Sequence, residues 1–203
     1  MSLFLFMLMS NNDISKSAVI LGDSTMASTG RQRPIAEGLF TDFEIADGYS
    51  AYSLAVAGNT ISDQLTAWQN YENKLQHKYI FIQVGLNDMN NDSSIILSDY
   101  QNLINQIKST KSNDALIIAS CMLPCKQRFI DLNWSNGQSN WESLNNAIMT
   151  SIVNVDYRNN YHVSLLGDGS GNLATQYDSG DHIHENELGA NIIRDGFRLI
   201  IGI

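Results

Sequence analysis

Cysteine and proline are scarce in this chain, whose 203 residues include two of each. The two thiols, Cys121 and Cys125, are too few for a disulfide framework, and no second pair of zinc ligands accompanies them. We therefore expect free, mostly buried thiols, and we expect neither a metal ion nor a cofactor. No linker rich in proline, glycine or serine and no internal repeat divides the chain, so a single domain is predicted over residues 17–203.

Basic residues are also few. Lys and Arg number 12 against 21 Asp and Glu, which gives a formal net charge of -9 at pH 7. Nucleic acids and anionic membranes are bound through clustered Lys and Arg, so this balance argues against both as partners. With 43% hydrophobic and 16% charged residues, the composition is that of an ordinary globular protein.

The chain lacks a long apolar segment as well. Leu3 to Met9 form a continuous apolar run, but a transmembrane helix needs about 20 such residues, and we expect no membrane span. A secretion signal is an alternative, although no Lys or Arg precedes the run and no small-x-small cleavage site follows it. Residues 1–16 are thus predicted to be a leader, either disordered or signal-like. A cytoplasmic location is favoured over secretion, and the oligomeric state is left open.

Apolar runs alternate with helical patterns along the chain. This order is typical of an α/β domain with a parallel sheet. Apolar residues spaced by three and four predict helices over 97–107, 141–152 and 188–200, and a less regular pattern predicts another over 60–75. The apolar runs themselves predict five strands, near Ala18 to Leu21, Ala51 to Val56, Tyr79 to Val84, Ala115 to Ser120 and Tyr161 to Leu165.

Three polar or small residues, Ser24, Gly58 and Asn87, each follow a different predicted strand. In open parallel sheets the functional residues lie beyond the carboxyl ends of the strands, so these three are expected to meet in one cleft. The loop from Cys121 to about Gln138 opens onto the same face. A strand that ends in a serine suggests a nucleophile, although Ser24 can equally be a helix N-cap.

A serine nucleophile needs a base, a carboxylate that orients the base, and donors for the oxyanion. His184 can take and return the proton near neutral pH, because the ordinary pKa of an imidazole is about 6.5. Asp181, three residues earlier, can fix its tautomer. Asn87 offers an amide NH₂ and Gly58 an unshielded N–H, although Asn87 can also be a turn former. His182 competes with His184 as the base.

These segments resemble, in order, the four blocks of the SGNH (GDSL) hydrolases. The matching residues are Gly22-Asp23-Ser24, Gly58, Gly85-Leu86-Asn87-Asp88 and Asp181-His182-Ile183-His184. The resemblance implies a flavodoxin-like, three-layer α/β/α fold with a central five-stranded parallel sheet. It also implies a catalytic triad of Ser24, Asp181 and His184, and an oxyanion hole formed by Ser24, Gly58 and Asn87. His184 has the family's three-residue offset from Asp181, and His182 does not.

Within that family, Gly22 to Ala27 and Ala55 to Gly58 look most like the carbohydrate esterase branch typified by rhamnogalacturonan acetylesterases. That likeness implies a serine esterase for short-chain acyl esters, with O-acetyl groups of a saccharide as the expected substrate. One departure is Leu86, whose position is often His in that branch. A lipase or thioesterase for longer acyl chains and a non-catalytic glycan-binding domain are the alternatives.

Three further residues are candidate substrate contacts. Arg31 and Arg33 follow the nucleophile and can pair with a carboxylated sugar, although a solvated loop is the alternative. Trp134 lies in the loop after the fourth predicted strand. Its ring can stack on a sugar or, alternatively, cap the core under that loop.

Overall fold

The computed structural model describes residues 14–28, 33–40 and 48–203. Within these ranges the strands form one parallel sheet in the order β2-β1-β3-β4-β5. The strands are β1 (Ser17–Gly22), β2 (Ser50–Ser53), β3 (Tyr79–Gln83), β4 (Leu116–Ser120) and β5 (Tyr157–Asn159). The α/β class and the five-stranded parallel sheet predicted from the sequence are therefore confirmed. Of the leader predicted over residues 1–16, residues 1–13 lie outside the described residues.

At least one helix follows each strand along the chain. The α-helices are α1 (Ile35–Leu39), α2 (Ile61–Asn70), α3 (Ser93–Thr110), α4 (Lys126–Asp131), α5 (Gly137–Thr150), α6 (Tyr161–Leu166) and α7 (Glu187–Ile201). Short 3₁₀ turns are formed by Ile14–Lys16, Lys74–Gln76 and Leu86–Asp88. The helices predicted over 97–107, 141–152 and 188–200 correspond to α3, α5 and α7. The one predicted over 60–75 ends earlier, at Asn70. Within the described part of the chain, none of the helices combines the length and the apolar surface that a membrane crossing requires.

Both faces of the sheet are covered. Along β1, Val19 and Leu21 belong to the apolar cluster shared with α2, α3 and α5, whereas Ala18 and Ile20 belong to the cluster shared with α1 and α7. All four side chains are fully buried. Burial on two faces explains why this strand reads as an unbroken apolar run rather than an alternating one.

The fifth strand was predicted at the wrong place. Residues 161–165 form most of α6, and the strand precedes them as Tyr157–Asn159. This strand is short and lies at the sheet edge, with only Asn159 buried, so no apolar run announces it. The apolar residues of α6 include the buried Leu166, which lies four residues after the buried His162, a helical spacing.

Two further histidines, His77 and His162, are buried. His162 is fully buried, with its Nε2 2.9 Å from the carbonyl oxygen of Cys121, and burial lowers its pKa to about 4. His77 lies between the hydroxyls of Ser17 and Tyr71, and burial lowers its pKa to about 4 as well. Both rings are therefore neutral near neutral pH. The two thiols are free and buried, as predicted.

Candidate active site

The order of the strands changes direction at β1, which lies between β2 and β3. From β1 the chain passes to β2 on one side of it and then to β3 on the other. Ligands of open α/β sheets bind where the strand order reverses in this way. Ser24 follows β1, and the Leu86–Asp88 turn follows β3. The topology thus brings two of the candidate segments to one edge of the sheet.

A buried carboxylate locks the turn that carries Ser24. Asp23 Oδ1 accepts hydrogen bonds from the backbone N–H of Thr25 at 3.0 Å and from its hydroxyl at 2.8 Å. Asp23 Oδ2 accepts one from the N–H of Leu86 at 3.4 Å, which ties the serine turn to the turn after β3. Asp23 is fully buried, and this burial raises its pKa in spite of the hydrogen bonds. The sequence pattern predicts no such role for Asp23, because its partner is 63 residues away.

Gln64 is a second buried anchor. This α2 side chain accepts a hydrogen bond from the N–H of Gly22 at 3.1 Å and donates one to the carbonyl of Leu54 at 3.1 Å. It therefore holds the end of β1 to the segment that continues from β2. A polar residue within an amphipathic helix is usually assigned to the solvent face, so the sequence carries no signal for this contact.

Gly58 and Asn87 are joined through Asn59. The N–H of Asn59 closes a turn onto the carbonyl of Val56 at 3.2 Å, and Gly58 is the third residue of that turn with φ of +84°. A positive φ at this position favours glycine. Asn87 Nδ2 donates to the carbonyl oxygen of Asn59 at 2.9 Å. An amide NH₂ has two hydrogens, so Asn87 retains one for another acceptor.

Asp88 anchors the Leu86–Asp88 turn, which contains Asn87, to α2. Its Oδ2 accepts a hydrogen bond from the N–H of Ile61 at 3.0 Å, at the first residue of the helix. Burial raises the pKa of Asp88 to about 7, and the charge of Asp23 adds to the increase. The turn that presents Asn87 is thus held by a carboxyl group that is costly to ionise.

The Asp88→Asn variant is expected to become more stable relative to the native protein as the pH rises. The pKa of Asp88 is about 7 in the fold against an ordinary 3.8, so the folded protein binds an extra proton between these values. The stabilisation linked to that proton is present below pH 4 and is lost as the pH rises through 7. Asparagine keeps an oxygen for the N–H of Ile61 and carries no charge.

The free energy of unfolding of this variant, relative to the native protein, should therefore increase by on the order of 3 kcal/mol between pH 4 and pH 8. Urea unfolding at the two pH values measures the difference. A difference that stays constant with pH contradicts the ionisation behaviour described for Asp88.

A histidine and a carboxylate pair within the turn formed by residues 178–184. Asp181 Oδ2 lies 2.5 Å from His184 Nδ1, and Asp181 Oδ1 accepts hydrogen bonds from the N–H groups of Ile183 at 3.2 Å and His184 at 2.9 Å. Partial burial works to raise the pKa of Asp181, but the bonds from His184 outweigh it and the pKa is lowered. The carboxylate therefore stays ionised and holds the ring.

The second ring nitrogen of His184 is available. His184 Nε2 is buried and has no hydrogen-bond partner among the described residues. The side chain is 12% exposed. A neutral imidazole with its proton on Nδ1 carries a lone pair on Nε2, which is the form that a general base needs.

His182 forms a separate pair with Asp178. The two side chains meet at 3.0 Å, and Asp178 Oδ1 also accepts hydrogen bonds from the N–H groups of Gly180, Asp181 and His182 at 2.8, 3.2 and 3.1 Å. Asp178 thus supports the whole turn. The side chain of His182 is 51% exposed, in contrast to that of His184. Each of the two histidines therefore has its own carboxylate, and they differ in burial.

Two of the remaining candidates, Arg33 and Trp134, make contacts within the protein. Arg33 Nε lies 3.3 Å from Glu187 Oε1, an oxygen that also accepts a hydrogen bond from the buried Arg194 at 2.6 Å. Trp134 stacks on Phe129 with ring centroids 6.3 Å apart and lines a cavity of about 340 Å³ beside α4. Arg31 lies outside the described residues.

Within residues 14–28, 33–40 and 48–203, no group of three or more His, Cys, Asp or Glu side chains could hold a metal ion. The described segments offer a buried serine turn, a histidine held by a carboxylate, and an asparagine amide joined to the turn that contains Gly58.

Several solved structures have a similar fold. No protein-family model matches the chain, and no curated protein does. Among solved structures, a GDSL-like lipase from Bacteroides thetaiotaomicron is similar, with a TM-score of 0.64, 20% identity, and coverage of 93% of this chain and 88% of that one. A lipase/acylhydrolase from Enterococcus faecalis has a TM-score of 0.68, 16% identity, and coverage of 92% and 96%. An acetylxylan esterase from Geobacillus stearothermophilus has a TM-score of 0.66, 14% identity, and coverage of 93% and 94%. The chain therefore shares the fold of these structures.

Proposed function

We propose that this protein is an SGNH-type serine esterase that hydrolyses short-chain acyl esters through an acyl-enzyme on Ser24. The observation that carries the proposal is the state of His184, whose Nδ1 is held by Asp181 while its buried Nε2 has no partner among the described residues. The four sequence blocks and the shared fold of a GDSL-like lipase and an acetylxylan esterase support it.

In the proposed first step, Ser24 Oγ attacks the acyl carbon while His184 Nε2 takes the hydroxyl proton. The ionised Asp181 keeps the other ring proton on Nδ1 and stabilises the imidazolium that forms. Asp178 contributes indirectly, because it holds the N–H of Asp181 and thereby the shape of the turn.

The carbonyl oxygen becomes negatively charged in the transition state. The backbone N–H groups of Ser24 and Gly58 and the second amide hydrogen of Asn87 are the proposed donors to it. Because Asn87 is already bonded to Asn59, and Asp23 is bonded to Leu86, these donors are held before the substrate binds. Donors that need no reorganisation lower the barrier most effectively.

The proton taken by His184 is then given to the leaving alcohol, which departs and leaves the acyl group on Ser24. In the second half of the reaction, a water molecule attacks this ester while His184 takes its proton. His184 then gives that proton to Ser24 Oγ as the acid is released, which restores the free enzyme. No cofactor is needed for either step.

For the acyl group, we propose acetyl, carried by a saccharide. The branch likeness of the sequence blocks and the fold shared with an acetylxylan esterase support this choice. A lipase-type specificity for long chains is the competing proposal, supported by the fold shared with two lipases. A long acyl chain gains about 0.8 kcal/mol per methylene only if an apolar channel buries it. The sequence between the four blocks contains no long apolar insertion that could form such a channel, which favours the acetyl group.

The acyl-chain profile separates these two proposals. For 4-nitrophenyl esters of increasing length, we expect kcat/KM to peak at acyl chains of roughly two to four carbons and to fall beyond them, because further methylenes do not fit a small recess. Acetate release from an acetylated polysaccharide should accompany this profile. A kcat/KM about ten times higher for an eight-carbon ester than for the acetate would favour the lipase proposal. The Ser24→Ala protein serves as the blank for both substrates.

A further inference from the structure

A polar recess of about 440 Å³ lies beside the 178–184 turn, a volume typical of small-molecule sites. Polar side chains from three segments line it. Gln127 comes from α4, Asp168 and Asn172 from the loop after α6, and His182 from the turn itself. The proposed mechanism assigns no role to this recess.

One wall of the recess belongs to the turn that carries His184. His182 is two residues before His184. Two residues of extended chain span at most about 7 Å, so the recess lies close to the proposed base.

His182 is held in one orientation within this recess. Its φ of +66° is unusual for a residue with a side chain. The bonds from its N–H and its Nδ1 to Asp178 hold it there. With Nδ1–H donating to that carboxylate, the neutral ring carries an acceptor lone pair on Nε2. A fixed, half-exposed acceptor in a cavity is suited to binding a hydroxyl group.

The charge of the recess selects against anions. Hydrogen bonds from Ser170 and Asn172 lower the pKa of Asp168 to about 2, so this carboxylate is ionised. Asp178 contributes a second carboxyl group, and no Lys or Arg is among the described residues that line the recess. Arg33 pairs with Glu187. A neutral polyhydroxylated group is therefore favoured over a carboxylated one.

We propose that this recess binds the alcohol part of a neutral acetylated saccharide, and that His182 Nε2 accepts a hydrogen bond from one of its hydroxyls. The inference rests on the proposed esterase activity and names the leaving group of that reaction. It makes His182 a specificity-determining residue, distinct from the base His184.

The His182→Asn variant tests this role. Asparagine can place an N–H donor near the Nδ1 position and tolerates a positive φ, so the bond to Asp178 and the turn are preserved, but the Nε2 acceptor is removed. The readout is the ratio of kcat/KM for an acetylated xylo-oligosaccharide to kcat/KM for 4-nitrophenyl acetate. We expect the ratio to fall about three- to tenfold, through KM for the saccharide, which is the loss expected for one hydrogen bond.

Gln176→Ala provides the matched control, because Gln176 is an exposed neighbour that does not line the recess. Its ratio should equal that of the native protein. If the ratio in His182→Asn equals that of the native protein, the inference is overturned. This holds also when kcat/KM falls by the same factor for both substrates.

The native protein supplies a second test. We expect it to release acetate faster from the neutral acetylated xylo-oligosaccharide than from an acetylated galacturonate oligosaccharide. The opposite preference, in a protein whose hydrolysis of 4-nitrophenyl acetate depends on Ser24, overturns the inference and leaves the proposed function standing. Absence of any hydrolysis that depends on Ser24 overturns both.

Discussion

Replacing Ser24 by alanine is expected to lower kcat for 4-nitrophenyl acetate by about 10⁴- to 10⁶-fold, because no acyl-enzyme can form without its hydroxyl. His184→Ala should cause a loss of similar size. The double variant should be little worse than either, since a nucleophile and its base act as a unit. Steady-state kinetics of the three proteins, with circular dichroism to verify folding, provide the measurement.

A matched serine control is available in α3. Ser109 is exposed and bonds only locally, to the carbonyl of Gln106 at 3.0 Å, so Ser109→Ala should behave like the native protein. Near-native activity in Ser24→Ala would exclude the proposed nucleophile. If His184→Ala instead retained activity and His182→Asn lost it, the base would be His182, and the pairing with Asp178 would take the role given to Asp181.

Asn87→Ala is expected to reduce kcat by about 10²- to 10³-fold, which corresponds to roughly 3–4 kcal/mol, with a smaller effect on KM. The reason is that Asn87 donates to a charge that is present only in the transition state. The substitution also removes the bond to the carbonyl of Asn59, so thermal unfolding should be measured alongside the kinetics.

Asn90→Ala serves as the control for this prediction, because Asn90 is an exposed residue three positions further along the same segment. Its kinetics should match those of the native protein. An Asn87→Ala protein with a raised KM and an unchanged kcat would make Asn87 a substrate-binding residue rather than an oxyanion donor.

The parts of the fold that could be predicted are those with a local signal. β1, β3 and β4 lie inside a sheet covered on both faces, so each reads as an apolar run. The pair of Asp181 and His184 could be expected because they are three positions apart and one turn brings them together. β5 was misplaced because an edge strand of three residues, Tyr157–Asn159, needs no such run.

The contacts that could not be predicted are those between distant segments. Asp23 reaches Leu86, and Gln64 reaches Gly22 and Leu54, only because the chain places β2 and β3 on opposite sides of β1. Spacing along the sequence contains no information about that order. The pair of Arg33 and Glu187 joins residues 154 positions apart and has the same origin.

The most direct test of the central claim is covalent labelling of Ser24 by diisopropyl fluorophosphate, read by mass spectrometry of the digested protein. In this reaction the serine oxygen displaces fluoride from phosphorus, so it reports the same activated hydroxyl that the proposed mechanism requires. We expect one adduct per chain, on the peptide that contains Ser24, with loss of esterase activity in proportion to labelling and much slower labelling of His184→Ala. Complete inactivation with the adduct on another residue, or esterase activity that persists after Ser24 is fully labelled, would contradict the account.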